Sequence, residues 1–375
     1  MSWEYKTLNQ LGEVSRGRSK HRPRNDPSLF GGEYPFIQTA DVKAANFYIT
    51  EYDTTYNEKG LAQSKLWHPG TLCITIAANI ADTGILAMDA CFPDSVMGFI
   101  PYDEVADVRF VKYCFDILQQ NCQKISQGAA QDNLSWEKLS TILFPAPPVA
   151  VQKKIADILS SFDDLIENNQ KQINLLEEAA QRLYKEWFVD LRFPGHENTP
   201  IVDGVPEGWT HAVVTDLLDI KYGKDHKSLP DGDIPVYGSG GIMRKVSEIL
   251  HSGESVLIPR KGSLNNILLV SGDFWTIDTM FFSIPKQENV AKYVYLFLCG
   301  VDMYAMNIGA AVPSMTVKIL DGMKLLYPNA EILAQFENIV SPYFSMIDLL
   351  RKQIGLLTEA RDMLLPKLMN GEIEV

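Results

Sequence analysis

The chain has 375 residues, 46% of them hydrophobic, and a formal net charge of −13. That length allows two or three domains with cores of their own, the apolar content excludes a disordered chain, and the acidic balance excludes diffuse binding to a polyanion. Nucleic acid would have to be held by local basic loops.

The N-terminal stretch, through Val14, has no apolar signal-peptide core, and no run approaches the ~20 apolar residues of a membrane span. Five cysteines include no C-x-x-C pair, and six scattered histidines give no metal-ligand spacing. These features point to a reduced, cytoplasmic protein without a metal site.

A first globular segment is expected over residues 1–148. It opens with Trp3 and a short amphipathic run through Leu8 and Leu11, followed by a basic stretch carrying Arg16, Arg18, Lys20, Arg22 and Arg24 with no acid among them. β-Branched and aromatic content predicts strands at Tyr34–Gln38, Thr71–Ala77, Gly84–Ala90 and Val96–Ile100, and apolar period predicts a helix over Val108–Ile125. Pro145, Pro147 and Pro148 close the segment, because proline blocks helix continuation.

Residues 149–190 read as one long amphipathic helix. Its seam is Ile155, Leu159, Phe162, Ile166, Ile173, Leu176, Ala180, Leu183 and Trp187. A Pro/Gly-rich linker, 191–206, leads to a second globular segment, 207–330. Residues 331–375 then give a second long helix and tail, with a seam of Phe336, Val340, Tyr343, Ile347, Leu350, Ile354, Leu357, Leu364 and Leu368. Steps of three and four residues make each a heptad seam for helix-on-helix packing. The second seam keeps the register of the first at a shift of 181 positions, as from Ile155 to Phe336, with only Asn169 and Arg361 polar. Those two are candidate register-setting positions.

The globular segments repeat as well. Trp209 to Leu217 mirrors Trp3 to Leu11, and Lys221-Tyr-Gly-Lys224 stands where Arg16-Gly-Arg18 stood. A duplicated unit related by a pseudo-two-fold axis sets the long helices antiparallel. One detail breaks the symmetry: Ser341-Pro342 lies where the first helix has Ser160-Ser161. Proline in a helix interior costs about 3 kcal/mol, whereas Ser at the N-cap before Pro is favourable, so the second helix is expected to break or restart there and to end or kink at Pro366.

Catalytic signatures are absent. There is no phosphate loop, no G-x-S-x-G elbow and no Asn-Pro-Pro-aromatic motif. The carboxylate pairs Asp163-Asp164 and Glu177-Glu178 fall off the seam and read as a solvated face. What the chain does offer is chemistry for DNA, since basic side chains neutralise phosphates while Arg, Lys, Asn and Gln read base edges. The first segment supplies its basic loop and the amides Gln38, Gln127, Gln131 and Asn133. The second supplies Lys221, Lys224, His226, Lys227, Arg244, Lys245, Arg260, Lys261 and Asn265.

Four motifs carry a resemblance: Trp187-Phe-Val-Asp190, Val205-Pro-Glu-Gly-Trp209, Ile339-Val-Ser-Pro342 and Leu364-Leu-Pro-Lys-Leu-Met-Asn-Gly-Glu-Ile373. In their order and duplication the chain resembles, over essentially its full length, the specificity subunit of Type I restriction–modification systems. The resemblance implies an α+β fold in which two globular α/β target recognition domains are separated by two long helices forming an antiparallel coiled coil. It implies that each domain reads one half of a bipartite, asymmetric double-stranded DNA target. Catalysis would belong to two methyltransferase subunits using S-adenosylmethionine and two restriction subunits using ATP and Mg²⁺, with no cofactor in this chain. Two readings stand beside it: a coiled-coil scaffold or protein-interaction module without DNA readout, which the acidic charge favours, and an enzyme in its own right, which the missing motifs oppose.

Overall fold

The computed structural model describes residues 3–76, 82–125, 136–306 and 313–375. The chain forms two compact units, one of Met1–Lys171 with Arg351–Val375 and one of Gln172–Leu350. Both long helices contribute to both units.

In the first unit, Glu4–Thr7 pairs antiparallel with Leu143–Ala146. A four-residue helix, Leu8–Leu11, then buries Leu8 and Leu11 and turns the chain into the main sheet. That sheet runs Gly12–Arg16, Val96–Pro101, Leu72–Thr75, Thr83–Leu86, Tyr48–Ile49, antiparallel except for the last pair. The helix Val108–Ile125 forms where its apolar period predicts it. Its Phe110, Val111 and Phe115 share one core with Leu72 and Phe99 of the sheet and with Ile155 and Leu159 of the first long helix. The strand expected at Tyr34–Gln38 lies earlier, at Phe30–Pro35. Gln38 instead starts the helix Thr39–Ala44, and its backbone N–H donates to the Asp41 carboxylate (2.6 Å).

The second unit repeats this order. Thr210–Val213 pairs with Lys324–Tyr327, the helix Val214–Leu217 follows, and the sheet runs Leu218–Tyr222, Met280–Pro285, Ser255–Pro259, Leu268–Val270. The helix Val290–Cys299 stands where Val108–Ile125 stood. A second sheet has four strands in this unit, Gly241–Val246, Ile234–Gly238, Asp273–Thr276, His251–Ser252, with Gly241–Val246 at its edge, where the first unit has the two-stranded pairs Phe30–Pro35 with Thr55–Tyr56 and Leu66–Trp67 with Ala90–Cys91. Before it, residues Ile201–Val202 and Val205–Pro206 of the expected linker form a small hairpin.

The first long helix spans Val149–Tyr184 and widens into a π-turn at Lys185–Val189; the second spans Ala330–Met369. They are antiparallel within each unit. In the first, Asp163 pairs with Arg361 and Asn169 Nδ2 donates to Gln353 Oε1 (3.3 Å). In the second, Tyr184, Trp187 and Phe188 surround Phe336. Ile155, Leu159, Ile166, Ile173, Ala180, Trp187, Phe336, Val340, Ile347, Leu350 and Leu368 are buried, while Phe162, Leu176, Leu183, Tyr343, Ile354, Leu357 and Leu364 are half-buried. Phe344, beside Tyr343, is the more deeply buried of that pair.

Two expectations fail. The second helix neither breaks nor restarts at Ser341-Pro342 and passes Pro366 to end at Met369. Pro342 and Asn338, whose carbonyl loses its helical donor, are both exposed, so water can take the place of the missing N–H. Buried Phe336, Val340, Phe344 and Ile347 meanwhile hold the helix on both sides of the proline. Nor does Asp163 lie on a solvated face. It is 3% exposed, accepts the Tyr113 hydroxyl (2.5 Å) and pairs with Arg361 (2.5 Å). A carboxylate is tolerated there because both oxygens are taken. Among the described residues no helix is long and apolar enough to cross a membrane.

Candidate nucleic-acid interface

Both units present basic residues by the same backbone device. In the first, Gly17 follows the strand Gly12–Arg16; its N–H donates to the Val96 carbonyl (2.8 Å) and that of Arg18 to the Phe92 carbonyl (2.9 Å). A Cβ on Gly17 would stand 2.3 Å from the Pro93 carbonyl oxygen, so only glycine lets the chain approach this closely. In the second, Gly223 follows Leu218–Tyr222, a Cβ there would stand 2.0 Å from the Ile277 oxygen, and the Lys224 N–H donates to the Thr276 carbonyl (2.8 Å). Each pinch fixes the backbone and turns the flanking basic side chains to solvent.

The loop after Gly17 is held from within. Gln63 Oε1 accepts the N–H groups of Lys20 (2.7 Å) and His21 (3.0 Å), and the Ser64 hydroxyl donates to the Arg18 carbonyl (2.7 Å). Arg22 folds back onto the carbonyls of Ser19 and His21, and Arg24 pairs with Asp94 (2.7 Å). Asp26, hydrogen-bonded by Ser28 and by His21, is held down to about 2. Acids absent from the loop sequence thus reach it from its flanks. Arg16, Arg18 and Lys20 remain exposed, with no acidic partner among the described residues. Gln38 is exposed at its helix start, while Gln127, Gln131 and Asn133 lie outside the described residues.

In the second unit the turn 276–279 is the hub. Arg260 and Lys261 donate their N–H groups to the Thr279 carbonyl (2.8 and 3.3 Å), and the Arg260 guanidinium donates to the Asp278 carbonyl (3.0 Å) while lying 5.4 Å over the Tyr222 ring. The hub therefore gathers Lys224, Arg260 and Lys261. Asn265 is exposed, but its Oδ1 accepts the Met303 N–H (3.0 Å). Lys221 pairs with Asp219 (2.8 Å), and Arg244 turns to Asp231 (2.9 Å) and the Leu229 carbonyl. Lys227 and Lys245 are exposed and His226 is half-buried. Sequence reasoning, attentive to charge, passed over the exposed apolar residues here: Tyr222, Ile242, Met243 and Tyr304. The available signal was Ile242-Met243 directly after the Gly238-Ser-Gly-Gly241 run, which offers no side chain to cover them.

The sequence model of the Type I restriction modification DNA specificity domain matches residues 1–178 and 206–359. The chain belongs to that family. The Type I restriction enzyme MjaIX specificity subunit of Methanocaldococcus jannaschii is 27% identical, with 100% of this chain and 94% of that protein covered. The HindI specificity subunit of Haemophilus influenzae is 21% identical, covering 97% and 98%. The crystal structure of the S subunit from M. genitalium shares the fold, with a TM-score of 0.61 at 18% identity over 98% of this chain and 96% of that one. This specificity subunit accordingly recognises DNA.

Proposed function

We propose that the chain is the non-catalytic, DNA-reading subunit of a Type I restriction–modification complex, and that residues 1–148 and 207–330 act as two target recognition domains. The observation that carries this reading is the strand–glycine–basic device built once in each unit, at Arg16-Gly-Arg18 and Lys221-Tyr-Gly-Lys224. Arg16, Arg18 and Lys20 grip the first half-site, and Lys224, Arg260 and Lys261 grip the second. The two domains differ in sequence, so the half-sites differ too, where identical copies would need a palindrome.

The long helices serve as spacer and as docking surface for two methyltransferase subunits, with two restriction subunits completing the assembly. S-adenosylmethionine, ATP and Mg²⁺ act in those partners. A helix of 36 residues is about 54 Å long, ample to hold two readers one DNA turn, roughly 34–36 Å, apart. Footprinting of the chain with its methyltransferase partner should give two protected patches about one turn apart; one continuous patch refutes the spacer. The net charge of −13 favours the scaffold reading. Salt separates the two. Phosphate contacts predict affinity falling with a log–log slope near −0.9 per contact, and absence of DNA binding at low salt with partner present supports the scaffold.

A further inference from the structure

We infer that Ile242, with Met243 beside it, reads the 5-methyl group of thymine in the second half-site. The inference rests on the DNA reading above and adds a base to it. Ile242 is 62% exposed and Met243 56%. The register shifts between the pairs Val236–Arg244 and Tyr237–Ile242, so Met243 is the extra residue of a β-bulge that turns this end of the strand out of the regular ladder and leaves both side chains exposed. Gly241–Val246 is also the edge of its sheet, and an apolar edge left open invites association.

The hairpin tip is built to project. Gly240 and Gly241 have no atom within 4 Å of where a Cβ would stand, and Gly241 takes a φ of 109°. Ile242 and Met243 are the first large side chains behind that bare tip. The tip is nonetheless tied to the basic hub: the Asn266 amide donates to the Ser239 carbonyl (2.8 Å), Gly262 abuts the Ser239 hydroxyl, and Ile277 lies against Gly238.

An apolar pair beside Lys224, Arg260 and Lys261 calls for an occupant that is negative around its rim and apolar at its centre. The DNA major groove meets both demands. It admits a projecting pair of strands such as the hairpin end that joins Ile234–Gly238 to Gly241–Val246, phosphates flank it, and the thymine methyl is its apolar group.

The test uses the full chain with its methyltransferase subunits and the target found by mapping methylated adenines. Each thymine of the second half-site is replaced in turn by deoxyuridine, which lacks only the methyl. Wild type should lose about fourfold in affinity at one or two positions, the worth of one buried methyl-sized group. The Ile242→Ala/Met243→Ala variant should bind thymine and uracil duplexes alike, while both proteins respond equally to uracil in the first half-site. Thermal melting of the variant should match wild type, since both side chains are exposed.

A second half-site without thymine overturns the inference. So does wild type that ignores uracil throughout, or discrimination that survives in the variant; in those cases a retained second footprint with its salt dependence leaves the DNA reading standing. Loss of that footprint in wild type removes both. A variant that changes the subunit count in sedimentation with discrimination unaltered assigns the edge to a second copy instead.

Discussion

A Lys-Tyr pair sits on the helix backing the main sheet of each unit, and in the two copies a different member meets a carboxylate on the long helices. In the first, Tyr113 reaches out, donating to Asp163 on the first long helix, which Arg361 on the second also holds. Lys112 stays home, paired with Asp116 one turn along (2.7 Å). In the second, Lys292 reaches out, to Glu337 on the second long helix (2.7 Å) and to Glu254 before a sheet strand (2.5 Å). Tyr293 donates to the Leu326 carbonyl and lies against the Tyr184 and Phe188 rings of the first long helix, meeting no carboxylate there among the described residues. Each unit thus ties its helix to a long-helix carboxylate, buried at Asp163 and half-buried at Glu337, met by a different donor. A duplicated fold retains the need for such a tie without retaining the donor that meets it.

Removing the donor should break the comparison most visibly. Lys292→Ala leaves Glu254 and Glu337 facing each other without a cation, and chemical unfolding should show a loss of about 3–5 kcal/mol. Lys292→Met combined with Glu337→Gln should recover most of it; no recovery would mean that packing of the lysine stem, and not charge, is what matters.

In the first unit Asp163→Asn keeps an acceptor for Tyr113 but discharges the pair with Arg361, a loss of about 1–3 kcal/mol. A double-mutant cycle with Arg361→Met should give a coupling above about 0.5 kcal/mol. Additive effects would separate Arg361 from the tie.

Pro342→Ser gives the second long helix the residue the first has at Ser161. Stability should rise by about 1 kcal/mol, short of the roughly 3 kcal/mol of an interior proline, because the freed carbonyl already faces water. A fall in melting temperature would show that the fixed φ of proline is needed there.

Titration gives the smallest effect. Burial works against charging Lys292, yet its hydrogen bonds to Glu254 and Glu337 prevail and raise it above 10.5. Burial lifts Asp116 above 3.8 against the pull of Lys112. The folded lysine keeps its proton where the unfolded chain loses it, so its contribution is full below 10.5 and vanishes as pH climbs through the raised value. The fold favours protonated Asp116, so stability also drops as pH climbs from 3.8 through its raised value. Unfolding curves of Lys292→Met and Asp116→Asn should each lose the slope in its own window; a slope unchanged in either assigns it to other groups.

The long helices were legible because a heptad seam is a local pattern, and its repetition gave the duplication. The basic stretches after Arg16 and Lys221 were legible because charge needs no fold to be counted. Asp163 was not: beside half-buried Phe162 it looks like a polar-face residue, and its partners Tyr113 and Arg361 lie far away in the chain. Arg24 looked uncompensated because Asp94 comes from another strand connection. Pro342 misled because propensity counts the lost hydrogen bond but not the solvent exposure of Asn338. Ile242 escaped notice because an isolated apolar pair in sequence reads as core until the sheet shows it at an edge.

The first unit takes its last part from Arg351–Val375, and Leu365, Leu368 and Met369 sit in one core with Leu8, Phe110 and Ile155. Synthesis delivers those three side chains last, when residues 172–350 have already left the ribosome together. The domain made first is therefore the one finished last, and until then it exposes the apolar floor those side chains will cover. A nonsense codon in the closing turns of the second helix would cripple the reader at the opposite end of the gene and leave its nearer neighbour complete.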